Sequence, residues 1–364
     1  MTDQTETDQT ATHQTSASRV LARAHGALGH LTLDRPEAIN ALDLGMVLDL
    51  ARALDAWAVD SDVEIIVLDG AGDRGLCAGG DVRGLYRQIA SGDVAATATF
   101  FRAEYALNAQ IDEYPKPLVA LADGITMGGG IGLAGHAAIR VVTERSKLAM
   151  PETRIGFTPD VGGTWLLGRA PGRLGEYLGL TGASMDAADA IHCGFADYFV
   201  PAAHLDGLRE ALQTRADPSS PTEIVLLFDE TAGSSSLEAA RPWIDDAFSA
   251  GTVAEIIARL RARAEPEAIA TADLLATSSP TALTITLEAV RRARALPDLR
   301  AALEQEYRLV MWFGQTQPDL LEGIRAQLVD KDRNPRWRPA TLDDLAPDLV
   351  AAAFSFEPPQ PLWS

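Results

Sequence analysis

The stretch "AMPETRIGFTPDVGG", Ala149 to Gly163, sets two carboxylates, Glu152 and Asp160, eight residues apart among apolar residues, glycines and prolines. An unpaired carboxylate out of water is costly, so such a group finds a partner or takes up a proton. One reading is a pair of capping or ion-paired acids on a loop. The other is a pair of acids set against a reacting group in a dry pocket. Two glycine stretches, "CAGGD" (Cys77–Asp81) and "MGGGIG" (Met127–Gly132), each stand where a strand should end and a helix begin. Glycine there either makes a tight turn or lets a ligand approach the backbone. Two such loops on neighbouring units could each aim one N–H at a single oxygen, which is how an oxyanion hole is built.

Other chemistry has weaker marks. "GIGLAG", Gly130 to Gly135, matches a dinucleotide-binding fingerprint, with Glu152 at a distance suited to a ribose, and keeps a nicotinamide-dependent oxidoreductase as a remote alternative. Two strands and two helices precede it, however, and the Gly128–Gly129 pair is left without a purpose. No G-x-S-x-G nucleophile elbow is present. The histidines (His13, His25, His30, His136, His192 and His204) show no metal-ligand spacing, so no metal site is expected. His136 reads as a packed, hydrogen-bonded residue, and Cys77, without a basic neighbour, as a packed thiol.

The elements that must hold these groups follow from periodicity. "LGHLTLDRP" alternates as a strand, and "NALDLGMVLDLARALDAWAVD" carries Leu42, Met46, Leu50, Leu54 and Trp57 at helical spacing. "VEIIVLDG" is a buried strand leading to the loop "LCAGGD". The helix "TATFFRAEYALNAQIDEY" then leads to the strand "KPLVALADG", the loop "ITMGGG", a small-residue helix and the strand "AAIRVVT". Strand, glycine loop and helix thus occur twice, which predicts an α/β chain of related units. From Glu223 to Leu328 most segments read as helices. The expected organisation is a disordered polar tail over 1–18, an α/β core over 19–217 and a helical region over 218–364.

Composition bounds the function. The chain has 364 residues, 47% hydrophobic, with a formal charge of -20, which argues against non-specific nucleic-acid binding. The run Gly124–Val142 is too rich in glycine, and carries His136 and Arg140, so no membrane span is expected. Two cysteines make no disulfide framework, and the polar start lacks signal or transit features, so the expected location is cytoplasmic.

The segments "LDRPEAINALD", "GLCAGGDVRGLY", "DGITMGGGIGLAGH", "AMPETRIGFTPDVGGTW" and "LGLTGASMDAADAIHCGFADYFVP" resemble, in order and spacing, the crotonase or enoyl-CoA hydratase/isomerase superfamily. "FFRAEYALN", "PETRIGFTPDVGG", "SPTALTIT", "EYRL" and "EGIRAQLVDKDRNPRWRP" mark its 3-hydroxyisobutyryl-CoA hydrolase branch, and the match runs from about His25 to Pro339. The resemblance implies a spiral of repeated ββα units stacking two sheets, with a mostly helical C-terminal part. It implies an acyl-CoA thioester hydrolase of valine degradation, with CoA as part of the substrate, no separate cofactor, and a possible homo-oligomer. By the same resemblance, Gly80 and Gly129 supply the oxyanion hole, Glu152 and Asp160 are the catalytic acids, and Glu104 lines the substrate's hydroxyl end. Glu152 either attacks the carbonyl or activates water. Hydratases of this fold hold one water between two glutamates, and the first falls here at Gly132. An enoyl-CoA hydratase or isomerase is the nearer alternative, since isomerases can use an acid near Asp160. Arg35 and Lys331 are candidate partners of the CoA phosphates.

Overall fold

The computed structural model describes residues 18–214 and 220–363, so the polar start up to residue 17 and the boundary expected near Asp217 lie outside the described residues. The order is β1 (Val20–His25), β2 (Leu28–Leu33), α1 (Leu44–Ala58), β3 (Ile65–Gly70), α2 (Val82–Ala90), α3 (Val94–Asp112), β4 (Leu118–Ala122) and β5 (Ile125–Met127). Then come α4 (Gly129–Ala134), β6 (Ile139–Val142), β7 (Lys147–Ala149), a 3-10 turn at Glu152–Ile155, α5 (Gly163–Arg169), α6 (Leu174–Thr181), α7 (Ala187–His192), β8 (Tyr198–Phe199) and α8 (Leu205–Thr214). Helices fill the remainder: α9 (Pro221–Leu226), α10 (Ser236–Phe248), α11 (Val253–Arg261), α12 (Pro266–Ala276), α13 (Pro280–Ala293), α14 (Leu299–Thr316), α15 (Asp319–Ile324) and α16 (Leu349–Phe354).

Six strands form one sheet in the order β1-β2-β3-β4-β6-β8, antiparallel between β1 and β2 and parallel thereafter. Parallel pairing needs a crossover between neighbours, and the helices supply it. The strand period of two divides the apolar side chains between two cores. Ile66 and Leu68 of β3 face the large core shared with α1, α3 and the C-terminal helices. Ile65 and Val67 face a smaller one closed by Leu205, Leu208 and Leu212 of α8 and by Ile224 and Val225 of α9. Both faces being covered, β3 and β4 read as continuous apolar runs rather than alternating ones.

The ββα repeat is present. β4, β5 and α4 form one unit, and β6 and β7 open the next. β5 and β7 pair in parallel as a second layer, and Cys77 bridges Thr126 to bring the first glycine loop beside it. Ile125–Met127, expected as loop, is therefore strand. Three residues are too few to show a period, and the pairing partner lies beyond the segment itself.

Candidate active site

Helix α3 is capped by Asp93, whose side chain accepts from Ala96 N, and runs for 19 residues from Val94. Phe101, Glu104, Tyr105, Asn108 and Ile111 fall on one helical stripe and are all buried. Three of these five are polar, which a helix used only for packing would not place there. The Tyr105 hydroxyl donates to Asp160 Oδ2 at 2.7 Å. Glu104 turns toward the second glycine loop: a Cβ on Gly129 would stand 2.7 Å from Glu104 Oε1.

The two glycine loops meet at this point. That same Cβ position on Gly129 is 3.3 Å from Gly80 N. Leu42 clamps the first loop, since Leu42 N donates to Gly79 O and Asp81 N donates to Leu42 O. Gly129 is the first residue of α4, so its N–H has no acceptor inside the helix. Among the described residues neither the Gly80 nor the Gly129 N–H has an intramolecular acceptor. The chain turns into α4 through Gly128 at φ +47°, where a Cβ would lie 3.0 Å from Glu152 Oε1. The glycine is needed for both the dihedral and the approach of the acid.

Gly80, Glu104, Gly129, Glu152 and Asp160 line one cavity of about 300 Å³, walled by Val82, Leu85, Phe100 and Phe157. All five residues singled out in the sequence come together. Oε1 of Glu104 and Oε2 of Glu152 are buried without a partner, so neither acid is consumed by a structural ion pair. Burial holds Glu152 well above the usual carboxylate range, and the charge of Asp160 adds to it. Glu104 is raised by the same two causes. Asp160 is pushed up to about 7 by burial, against which the Tyr105 hydroxyl and a backbone N–H favour its ionised form. With the Tyr105 hydroxyl donating to it, Asp160 is the better held of the two acids in its ionised form.

The other sequence candidates fall out of the chemistry. Burial pushes the Cys77 thiol up to about 12, far from a reactive thiolate. His136, driven down to about 4 by burial, donates from Nε2 to Val161 O at 2.8 Å. "GIGLAG" does not cradle a pyrophosphate: Gly130 and Gly132 lie inside α4, and Gly132 N and Gly135 N donate back to Gly128 O and Ile131 O. Arg35 donates to Ala41 O and pairs with Asp81, and Lys331 is exposed. Among the described residues no group of three or more His, Cys, Asp or Glu side chains is arranged for a metal ion, and no helix is long and apolar enough to cross a membrane.

Two features escaped the sequence reading. Tyr105 is one, and the filled space beside Gly132 is the other. A Cβ on Gly132 would stand 2.7 Å from Val161 Cβ and 2.8 Å from Asn108 Nδ2. Asn108 is fully buried and neither amide atom has a partner. The alternation of polar residues on the buried stripe of α3 was the available signal for both Tyr105 and Asn108.

A family model described as enoyl-CoA hydratase/isomerase matches residues 28–354. A Danio rerio protein named "3-hydroxyisobutyryl-CoA hydrolase, mitochondrial" is 39% identical, over 93% of this chain and 90% of its own. "3-hydroxyisobutyryl-CoA hydrolase 1" of Arabidopsis thaliana is also 39% identical, over 93% and 92%. A carnitinyl-CoA dehydratase structure from Mycobacterium thermoresistibile superposes with a TM-score of 0.89 at 48% identity, covering 94% of this chain and 98% of that one. An enoyl-CoA hydratase structure from Rhodobacter sphaeroides 2.4.1 gives 0.88 at 46%, covering 95% and 99%. The word mitochondrial in the Danio rerio name, and in the names of the Xenopus tropicalis and Rattus norvegicus relatives, overturns the cytoplasmic expectation. The physical reason is that a low cysteine count marks any reducing compartment and does not single out the cytoplasm.

Proposed function

The chain belongs to the enoyl-CoA hydratase/isomerase family, and from that membership we propose that it hydrolyses a short 3-hydroxyacyl-CoA thioester, 3-hydroxyisobutyryl-CoA, to the free acid and CoA. The observation that carries the choice of reaction is the space beside Gly132. Water addition in this fold needs a second glutamate there. The position has no side chain, and Val161 and Asn108 fill the volume one would need. The dehydratase and hydratase names of the two solved structures therefore describe a reaction for which this site lacks a group. The hydrolase name of the relatives agrees with what remains, and that substrate belongs to the breakdown of valine.

In this reading the thioester oxygen sits between the N–H groups of Gly80 and Gly129. Each donor stabilises the developing oxyanion by roughly 3 kcal/mol, because it is preorganised and costs no solvent rearrangement. Asp160, ionised, takes the Glu152 proton as Glu152 Oε attacks the carbonyl carbon. The C–S bond breaks, the CoA thiolate takes the proton from Asp160, and an acyl–Glu152 anhydride is left. Asp160, again a base, draws a proton from water as the water oxygen bonds to the acyl carbon; the bond from that carbon to Glu152 Oε breaks, releasing the free acid, and Asp160 returns its proton to Glu152. Glu104 Oε1, orphaned against the hole, accepts from the substrate's hydroxyl.

The test is release of free thiol across a panel of short acyl-CoA esters without any added nicotinamide. The 3-hydroxyisobutyryl and 3-hydroxypropionyl esters should turn over, and crotonyl-CoA should gain little water. Efficient hydration of crotonyl-CoA with the 3-hydroxyacyl esters left intact would sink the proposal. Hydroxylamine should trap the anhydride as a hydroxamate. A homo-oligomer belongs to the same reading and is checked by light scattering.

A further inference from the structure

The stretch "EYRL" marks the helical end of the chain, and the reaction above gives it no task. Its first residue, Glu306 on α14, is fully buried. Its carboxylate reaches the turn that follows Asp160. Oε2 accepts from Gly162 N at 2.6 Å, and Oε1 accepts from Thr164 N at 2.8 Å and from the Thr164 hydroxyl. This caps α5 from another part of the chain, because Gly162, at the N-cap, has no side chain to do so. The turn needs holding. Val161 is β-branched and sits at φ +55°, and Gly162 follows at φ +78°, both in the left-handed region. Glu306 is joined there by the bond of His136 Nε2 to Val161 O, the closing bond of Gly163 N to Asp160 O, the Tyr105 hydroxyl on Asp160 Oδ2 and the helical bond of Leu166 N to Gly162 O. Among the described residues, however, Glu306 alone accepts from the Gly162 and Thr164 amides.

We propose that Glu306 is a positioning residue for Asp160: its carboxyl oxygens accept from the Gly162 and Thr164 amides and so fix the turn that presents Asp160 beside Glu152. The C-terminal helices thereby act on the chemistry and not only on the core. Tyr307, the next residue, rests edge-on against Tyr105 at a ring separation of 6.3 Å, so α14 touches both devices that hold Asp160. The inference rests on the hydrolase reading only in treating Asp160 as a reacting acid.

Glu306→Gln keeps the shape but turns an NH₂ toward one of the amide donors, which an amide nitrogen does not accept. The variant should fold and lose about tenfold or more in kcat for thiol release, with KM within about threefold of wild type. In an Asp160→Asn background the same change should cost less than about twofold, because its effect passes through Asp160. Backbone amide exchange at Gly162 and Thr164 should quicken in Glu306→Gln. Wild-type kcat in the folded variant overturns the proposal. So does an equal loss with and without Asp160, or unchanged exchange at both amides. Should Glu306→Gln fail to fold, Thr164→Ala removes only the hydroxyl contact and should lower kcat in the same sense; an unchanged kcat there counts against the proposal. Absence of thiol release by wild type would fall on the hydrolase reading instead, and the exchange measurement would still decide whether Glu306 pins the turn.

Discussion

The phenol of Tyr105 donates to Asp160 Oδ2 across 2.7 Å, with both residues buried. The bond favours the ionised acid, and it works against a burial that lifts Asp160 to about 7. Tyr105→Phe removes the donor without emptying the space. Asp160 should then hold its proton to higher pH, and the rising limb of the pH–rate profile should move up by roughly one unit. At neutral pH that amounts to roughly a fivefold lower rate. An unmoved limb in Tyr105→Phe would show that another group controls it.

Glu152 is the second test. Glu152→Gln keeps the volume and removes the attacking oxygen, so thiol release should drop by at least about a hundredfold while CoA binding is nearly kept. Calorimetry with CoA and the thiol assay on the same preparation check both halves. A folded Glu152→Gln protein with near-normal turnover ends the assignment.

The oxyanion hole calls for a comparison at Gly80 rather than at Gly129. Alanine at 129 is not a neutral control, because its Cβ would press on Glu104 Oε1 and crowd Gly80 N. At Gly80 a Cβ meets only Phe100, at an ordinary 3.5 Å. Gly80→Ala should therefore stay within about threefold of wild type, whereas Gly80→Pro, lacking the N–H, should lose about a hundredfold or more in kcat. Thermal unfolding of both variants separates loss of the donor from loss of the fold. Equal kcat in the two would remove the Gly80 N–H from the hole.

Installing the missing acid offers a fourth test. Gly132→Glu supplies the carboxylate of a hydratase, yet its Cβ already overlaps Val161 and Asn108. The variant should lose stability, by roughly 1–3 kcal/mol as overpacking usually costs, and should not gain hydration of crotonyl-CoA. A stable Gly132→Glu protein that hydrates crotonyl-CoA would mean that Gly132 alone separates the two reactions and that Val161 and Asn108 yield easily.

How much of this site was legible in the sequence depends on how far apart the partners lie. The loops at Gly80 and Gly129 could be read because a glycine cluster after an apolar strand is a local pattern. Glu152 and Asp160 stood out because carboxylates in an apolar stretch conflict with their surroundings. Tyr105 and Asp160 are 55 residues apart, and Glu306 and Gly162 are 144 apart. No local pattern encodes such pairs; only the packing of α3 and α14 against one turn brings them together. The fold was legible through its long helices and buried strands, whereas β5, at three residues, was not.

The buried acids also make a statement about stability. Asp160 is raised to about 7 and Glu306 to about 8, the latter by burial against the pull of its three donors. In the unfolded chain both return to the ordinary carboxylate range. Between that range and these raised values the folded protein holds protons that the unfolded chain has lost, so ionisation favours unfolding as pH rises. The stability they contribute is complete in acid, below the ordinary carboxylate range, and declines until pH passes about 8. Surface acids held low by arginine, such as Glu113 beside Arg300, act in the opposite sense but below that window. His136, driven down to about 4 by burial, opposes the trend between that value and the ordinary histidine range, one group against the two raised acids. Urea unfolding should therefore give a smaller free energy at about pH 8 than at about pH 5, and Asp160→Asn should flatten that slope by removing one of the contributing acids. A free energy that rises over this interval would mean that the two raised acids do not outweigh His136, and an unchanged slope in Asp160→Asn would mean that the carboxyl at 160 is not held protonated by its burial.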